Sequence, residues 1–218
     1  MDAATGGASA AVWCDGAITA SESQTLDRGQ AEALLPMVAR VMAAAGLDFA
    51  ALDRLAVTVG PGHFTGLRAA LAAARGQALA TGLPLVGIGT LRAVAAAVPA
   101  AERAGRRLVV ALDSKRREAY LQTFADSLTP EAAPVAALPA AYAAALPTDR
   151  PCLVAGDAAG PMIEALAGLG LDAIRAAPLR PEAGIIAALA AGENVTGTLP
   201  APVYLHPVEA RLPVAAGR

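Results

Sequence analysis

The fold of this chain is decided by residues 57–68, which read Val57-Thr58-Val59-Gly60-Pro61-Gly62-His63-Phe64-Thr65-Gly66-Leu67-Arg68. A short apolar strand at 55–59 runs into a turn rich in glycine, and an alanine-rich helix follows. Backbone N–H groups without helical partners, together with the helix dipole, favour an anion at such a turn. The same glycines also suit a tight turn in which two backbone segments approach closely. Both interpretations are open at this point.

The turn matches neither of two common phosphate-binding patterns, G-x-x-x-x-G-K-[ST] and G-x-G-x-x-G. It contains no lysine that could reach a phosphate, so we do not expect a P-loop. If the turn binds a nucleotide or another anion, the candidate residues are Gly60, Gly62, Thr65, Gly66 and Arg68.

The composition indicates a globular protein with a core of small aliphatic side chains. At 218 residues the chain fits one large domain or two small lobes, and 56% of its residues are hydrophobic but only 3% aromatic. The net charge is −2, without a block of like charges. This argues against nucleic-acid binding by the chain alone, which needs clustered Lys and Arg. The chain could still contribute one edge of a shared site.

Metal, redox and membrane signatures are missing from the sequence. Cys14 and Cys152 are far apart, as are His63 and His206, and neither pair has the spacing of metal ligands. The N-terminal residues lack the basic and apolar regions of a signal peptide, and no apolar run approaches the ~18 residues of a membrane span. We therefore expect a cytoplasmic protein with reduced thiols, without a bound metal or a membrane association.

The periodicity predicts alternating strands and helices. The predicted strands are 8–14, 18–22, 55–59, 85–88, 108–113, 118–124 and 152–155, and the predicted helices are 32–45, 65–81, 91–98, 139–145, 161–169 and 181–191. The polar segment 100–107 separates two similar successions of elements. The sequence therefore predicts two α/β lobes of related plan, at residues 1–103 and 104–218.

Two of the predicted helices have unusual faces. Helix 32–45 has an apolar stripe wider than one buried face requires, and helix 65–81 has a face of small residues. Gly66 and Gly76 cost roughly 1 kcal/mol each relative to Ala in a helix interior, and close packing of another helix would offset that cost. These features fit ordinary core packing or a contact with a second protein.

No assembled catalytic set is visible in the sequence. Asp2, Asp113 and Asp157 fall at strand ends or turns, where acids commonly cap backbone N–H groups. The basic turn formed by Lys115, Arg116 and Arg117 is either a solvated hairpin tip or a contact for phosphate or RNA. No serine or cysteine has an obvious activating base.

Several motifs together resemble one family, the TsaB (YeaZ) proteins. The turn resembles that family's signature G-P-G-S-F-T-G-[LV]-R. Three further segments resemble its motifs H-S-E-x-L-L-P, D-A-R-R-G-E-V-Y and P-x-Y-L-R; they are Glu32-Ala33-Leu34-Leu35-Pro36, Asp113-Ser114-Lys115-Arg116-Arg117-Glu118-Ala119-Tyr120 and Pro202-Val203-Tyr204-Leu205-His206-Pro207. The resemblance spans nearly the whole chain.

The resemblance implies an actin-like, two-lobe fold of the ASKHA (Hsp70 and sugar-kinase) type. It also implies a non-catalytic scaffold and activator of TsaD, which acts with the ATPase TsaE to place a threonylcarbamoyl group on a tRNA adenosine. The metal and the transfer chemistry would belong to TsaD, with ATP or ADP bound within the complex. Helices 32–45 and 65–81 would pair with the same helices of TsaD or of a second copy. The expected contact residues are Leu34, Leu35, Val38, Met42, Leu67, Leu71 and Ala74.

The chain departs from the family pattern at several positions. His63 replaces a serine, Gln30 a histidine, Arg117 a glycine and His206 an arginine. The family opens with a strand such as I-L-A-I-D-T, and Asp2 would be its aspartate, so the first strand is absent from this sequence. Either the start site is placed too far downstream, or the first lobe lacks one strand and has an open sheet edge.

Two other functions compete with the scaffold. One is a nucleotide-binding ATPase or phosphotransferase of the actin-like superfamily, which would use the glycine turn with Asp2, Asp113 or Asp157. The other is a peptidase, an older label of this superfamily. We do not expect a peptidase, because neither a metal cluster nor an activated nucleophile is visible in the sequence.

Overall fold

The computed structural model describes residues 1–177, 179–195 and 197–206. This part of the chain forms an α/β fold with nine strands, seven α-helices and a 3-10 helix at Phe49–Ala51. The strands are β1 (Gly7–Cys14), β2 (Ala17–Thr25), β3 (Leu55–Gly60), β4 (Leu85–Gly89), β5 (Arg107–Asp113), β6 (Ala119–Phe124), β7 (Val135–Ala137), β8 (Cys152–Ala155) and β9 (Ala173–Arg175). The helices are α1 (Gln30–Ala45), α2 (Phe64–Thr81), α3 (Thr90–Ala97), α4 (Ala100–Arg103), α5 (Pro139–Ala144), α6 (Ala159–Ala167) and α7 (Ala183–Ala191).

The N-terminal half contains two separate two-stranded sheets. Strands β1 and β2 form an antiparallel hairpin, and β3 and β4 are parallel. The hairpin turn has positive φ at Asp15 and Gly16, as a two-residue turn between right-twisted strands requires. Strand β2 extends to Thr25, beyond the predicted end at residue 22, because it pairs with β1 as far as Gly7. The polar composition of residues 23–25 therefore marks an exposed strand edge rather than a loop.

Helices cover both faces of these two sheets. On β3, Leu55 and Val57 belong to a buried cluster with α1 and α2, whereas Ala56 packs against a cluster with Ile186 and Ala190 of α7. This alternation follows from the two-residue period of a strand. Helices α1 and α2 are in contact with one another and lie on the same side.

The C-terminal half contains one five-stranded sheet, in the order β7-β6-β5-β8-β9. Its central strand, β5, is antiparallel to β6 and parallel to β8. Residues 108–112 of β5 are buried on both faces, by α3 on one side and by α6 on the other. A strand that is buried on both faces has a continuous apolar run in its sequence, which is why β5 could be predicted.

One element of the second half packs on the first half. Helix α7 contacts β1, β2, β3 and β4, although it follows residue 104 in sequence. If the chain is divided between residues 103 and 104, α7 belongs to the second lobe but packs on the strands of the first. The two-lobe division therefore stays a prediction.

The structure corrects the predicted contact residues on α1 and α2. Six of the seven lie in the chain's own core and are at most 7% exposed, and they are Leu34, Val38, Met42, Leu67, Leu71 and Ala74. Only Leu35 is exposed, at 49%. The wide stripe predicted on helix 32–45 and the face of small residues predicted on helix 65–81 are in large part the inner faces of the helices, so these six side chains lie in the core and not on the surface.

A pair of neighbouring substitutions tests this assignment. We expect Leu71→Arg to lower the free energy of unfolding by about 3 kcal/mol or more, because it would bury a charge without a partner. Ala72→Arg, one residue further on the exposed side of α2, should change it by no more than about 0.5 kcal/mol. Urea unfolding of both variants gives the comparison, and equal destabilisation would contradict the assignment of faces.

Candidate functional site

The glycine turn is a junction of closely packed backbone segments. A Cβ atom on Gly62 would lie 2.2 Å from the carbonyl oxygen of Ala4, and one on Gly66 would lie 2.0 Å from that of Ala3. The His63 amide donates a hydrogen bond to the same Ala4 oxygen, at 2.6 Å. These two glycines are therefore required by the approach of the N-terminal segment. The nucleotide interpretation of the turn stays a prediction.

The remaining predicted residues of the turn have different environments. Gly60 has a φ of 109°, and a Cβ there would lie 2.6 Å from the Val203 carbonyl oxygen. Thr65 is exposed in the first turn of α2. The Arg68 guanidinium stacks 3.7 Å above the centre of the Phe64 ring. Of the five predicted residues, Thr65 and Arg68 thus present their side chains on the surface.

Asp2 is buried behind the turn. Its carboxylate accepts hydrogen bonds from the Thr58 hydroxyl at 2.5 Å and from the Ala4 amide at 3.0 Å. Burial raises the pKa of this carboxyl to about 6, although both hydrogen bonds oppose that change. Asp2 holds the N-terminal segment against β3 and does not face the open cleft described below.

A C-terminal segment, Pro200 to His206, crosses the turn. Its Val203 amide bonds to the Val59 carbonyl at 2.7 Å, and the Tyr204 hydroxyl accepts from Arg68 Nε at 2.9 Å. The rings of Tyr204 and Phe64 are 5.7 Å apart, and His206 lies 5.4 Å from the Tyr120 ring on β6. The segment therefore connects the glycine turn to the C-terminal sheet. Pro207, the last residue of the family-like motif, lies outside the described residues.

These segments enclose a cleft of about 460 Å³. The glycine turn, the β5–β6 turn and the C-terminal segment line it with Gly62, His63, Phe64, Ser114, Lys115, Arg116, Tyr120, Val203, Tyr204, Leu205 and His206. The structure thus brings Gly62 together with Lys115 and Arg116, which were predicted separately from sequence. Arg117 is exposed on the same turn but is not part of the lining.

Charge in the cleft is largely compensated. Lys115 Nζ lies 2.8 Å from the Asp113 carboxylate, whose other oxygen accepts the Lys115 amide at 2.7 Å. Burial acts to raise the pKa of Asp113, but the contacts with Lys115 outweigh it and hold that pKa below its usual value. Burial raises the pKa of Asp157, which accepts the Asp113 amide at 2.8 Å. Lys115 is therefore a fixed and partnered cation.

His63 contributes a largely neutral imidazole to the cleft. Burial, and then the nearby Lys115, lower the pKa of His63. Its Nε2 atom is buried and has no hydrogen-bond partner among the described residues, and the same holds for His206 Nε2. The sequence marked both histidines as departures from the family motifs and as a pair without metal-ligand spacing. It could not show that they line one cleft, because residues 143 positions apart give no local signal. In the described part of the chain, no three His, Cys, Asp or Glu side chains gather as metal ligands.

The lowered pKa of His63 predicts a pH dependence of stability. The ordinary pKa is 6.5, so the unfolded chain binds a proton before the folded chain does as the pH falls below that value. We expect the contribution of the neutral His63 to stability to be lost between pH 7 and pH 5, so that the chain loses stability relative to the His63→Ser variant as the pH falls. Melting temperatures of both proteins at pH 5, 6, 7 and 8 measure the effect. An equal decrease in both would contradict it.

Comparison with known proteins agrees with this arrangement. The family model for TsaD, tRNA N6-adenosine threonylcarbamoyltransferase, matches residues 22–175. The tRNA threonylcarbamoyladenosine biosynthesis protein TsaB of Escherichia coli is 32% identical over 120 residues, which cover 55% of this chain and 51% of that protein. A tRNA N6-adenosine threonylcarbamoyltransferase of Erythrobacter litoralis is 45% identical over 64 residues, 29% of this chain and 19% of that enzyme. The chain spans about half the length of the first curated relatives that it matches.

A solved structure matches the chain over nearly its whole length. The crystal structure of a Pseudomonas aeruginosa protein with similarity to peptidase YeaZ has a TM-score of 0.79 and 26% identity, and the match covers 94% of this chain and 97% of that one. None of the helices in the described ranges is long and apolar enough to cross a membrane. Since the family model covers more than half of the chain and both the named relatives and this structure agree with it, the chain belongs to the TsaD-type family and, within it, to the TsaB (YeaZ) group.

Proposed function

We propose that this chain is a non-catalytic scaffold that binds and activates a TsaD-type threonylcarbamoyltransferase during formation of threonylcarbamoyladenosine in tRNA. The similarity to TsaB relatives and the related plan of the two halves support this function, with an actin-like, two-lobe arrangement of the chain. The single observation that carries the proposal is the exposed surface of helices α1 and α2.

This surface, here called the outer helical face, consists of apolar and small residues on two adjacent helices. It contains Leu35, Pro36, Ala39 and Ala43 of α1 and Ala72, Gly76 and Leu79 of α2. Leu79 is 88% exposed, the largest exposure among the large hydrophobic side chains of the described residues. Arg40 borders the face, and Glu22 holds its guanidinium by two hydrogen bonds of 2.7 and 2.9 Å. The face is thus mainly apolar, and the charge of Arg40 at its border is already paired.

Such a face suits another pair of helices. Small residues allow helix axes to approach closely, and the few protruding side chains, Leu35 and Leu79, can fill grooves of the partner. Contiguous exposed apolar surface marks interaction sites in soluble proteins. A TsaD-type partner fits because this chain shares 45% identity with such an enzyme over 64 residues, so both could present helices of similar shape. A second copy of this chain would be the homodimeric alternative on the same face.

The cleft would act within that complex rather than alone. Lys115, Arg116 and Arg117 at the β5–β6 turn would contact tRNA or a nucleotide phosphate once the partner completes the site. ATP or ADP and the TsaE-type ATPase would be recruited through the complex, in the cytoplasm. The compensated charge of the cleft and the net charge of −2 support a shared site over independent binding.

Charge introduced on the outer helical face should prevent docking. We expect Ala72→Arg and Leu79→Arg each to weaken binding to the TsaD-type protein of the same organism at least tenfold, which is about 1.4 kcal/mol, because each would bury an unpaired cation. Calorimetric titration measures the affinity, and circular dichroism confirms that the variants fold.

A matched control is Leu169→Arg, at another exposed leucine outside this face. It should leave the affinity unchanged. The same proteins are then compared in a tRNA-modification assay with the TsaD-type and TsaE-type proteins and ATP. Full binding by both face variants, or modification that proceeds equally without this chain, would contradict the scaffold. ATP turnover by the isolated chain would instead support the phosphotransferase alternative.

A further inference from the structure

The outer helical face continues along α2 to Arg68. This arginine is exposed, and it precedes Ala72, Gly76 and Leu79 by four, eight and eleven residues. In a helix with about 3.6 residues per turn, these spacings return to the same side. A partner that covers the three face residues would therefore reach the guanidinium as well.

The guanidinium of Arg68 is held in place without a carboxylate. Its Nε donates a hydrogen bond of 2.9 Å to the Tyr204 hydroxyl, and its Cζ lies 3.7 Å from the centre of the Phe64 ring and 5.7 Å from that of the Tyr204 ring. In the described part of the chain it has no ion pair and no other hydrogen bond. A guanidinium also donates from both of its Nη atoms. These donors stay available to a ligand.

The C-terminal segment keeps Arg68 beside the outer helical face. Arg75, two turns further along α2, donates a hydrogen bond to the Pro200 carbonyl. The segment therefore runs along the flank of α2 from Arg75 to Arg68, where Tyr204 makes the second contact. Phe64 and Tyr204 also line the cleft, but Arg68 is not part of that lining. Its charge is thus presented on the outside of α2 and not to a ligand of the cleft.

A second arginine beside the face provides a contrast. Arg40 of α1 also borders the outer helical face, and Glu22 accepts two hydrogen bonds of 2.7 and 2.9 Å from it. Its charge would stay compensated when a partner covers the face. The same partner would remove water from Arg68, for which this chain supplies a hydroxyl and two rings but no anion. Burial of an unpaired charge is costly, so stable docking requires the anion to come from the partner.

We propose that Arg68 binds a carboxylate of the partner, from an Asp or Glu side chain of the TsaD-type protein where it covers the outer helical face. This inference rests on the proposed function and names the chemistry of one contact in that interface. A planar guanidinium suits a carboxylate, because two of its N–H groups can donate to the two oxygens at once.

The surroundings of Arg68 favour such a pair. The Phe64 ring and the Tyr204 hydroxyl already restrict the arginine side chain, so less rotamer entropy is lost when the pair forms. The rest of the face consists mainly of alanine, glycine, proline and leucine, which pack without a fixed direction. A single charge pair at one end of the face would therefore set the register of the partner's helices.

Affinities of charge variants test the pair. Arg68→Gln should weaken binding to the TsaD-type protein at least about tenfold, because the partner's carboxylate would be left buried and unpaired. Arg68→Lys should lose less, since an ammonium group still pairs with a carboxylate. Arg40→Gln is the matched control and should change the affinity less than about twofold. Calorimetric titration measures all three, and equal affinities of the Arg68→Gln variant and the unaltered chain would overturn the proposal.

Tyr204→Phe separates a direct pair from a role of Arg68 in holding the C-terminal segment. This variant loses the hydroxyl that Arg68 Nε binds but keeps the ring and the guanidinium. We expect it to weaken binding less than about threefold. If it weakened binding as much as Arg68→Gln does, Arg68 would act only through the segment, and the proposal would be overturned. Melting temperatures of both variants show whether they fold.

A zero-length cross-link identifies the source of the carboxylate. A water-soluble carbodiimide condenses a lysine amine with a carboxylate that contacts it, and an amide forms with loss of water. The chain has a single lysine, Lys115, which Asp113 already pairs, so the unaltered chain gives a low background. With the Arg68→Lys variant bound to the TsaD-type protein, we expect a new amide between position 68 and an Asp or Glu of that protein, located by mass spectrometry.

The other outcomes are distinct. A cross-link from position 68 to Glu32 of a second copy, an exposed acid in the first turn of α1, would overturn the proposal and make a homodimer the occupant. Loss of binding in Ala72→Arg and Leu79→Arg, with full binding by Arg68→Gln and without a cross-link from position 68, would overturn this inference alone. Full binding by Ala72→Arg and Leu79→Arg would contradict the scaffold itself.

Discussion

The structure depends on one close approach of backbone to backbone, between the N-terminal segment and the glycine turn. The carbonyl oxygens of Ala3 and Ala4 occupy the space that side chains on Gly66 and Gly62 would need. This contact fixes where α2 begins and how its first turn lies on β3. It also orients Asp2, whose carboxylate receives the Thr58 hydroxyl and completes the junction. A Cβ atom on Gly62 or Gly66 would not fit in this contact, so backbone packing alone requires glycine at both positions, whether or not the turn binds a ligand.

The second half repeats this constraint. A Cβ on Gly156 would lie 2.0 Å from the Ala111 carbonyl oxygen, and the Ala158 amide bonds to that same oxygen. In both halves a glycine after a parallel strand lets the chain cross the end of its neighbour. The two junctions are adjacent to the same cleft, where Asp113, Lys115 and His63 interact electrostatically. Backbone packing at these two junctions therefore positions the turns that lie beside the cleft.

The composition of α1 and α2 explains why each helix has a buried inner face and an exposed outer face that are both largely apolar. Both are rich in alanine, and their leucine, valine and methionine side chains on the inner face form the core with β1 and β3. The outer face remains mainly apolar because alanine continues around both helices, with Gly76 on α2. Burying such a face costs little desolvation of polar groups, which fits a second layer of helices in an assembly. In the proposed complex, stability within the chain and association between chains would use opposite sides of the same helices.

The sequence by itself determined the order of elements, the hairpin at Asp15-Gly16, the buried strand β5 and the membership of a family, because periodicity, turn residues and contiguous motifs are local properties. It identified Gly62 and the turn at Lys115 as candidate binding residues. It could not show that they share a cleft with Tyr204 and His206, because these residues are distant in sequence. It also could not assign the two sides of α1 and α2. An apolar stripe has the same period whether it faces the core or a partner, and only tertiary packing decided that Leu71 is buried and Leu79 exposed.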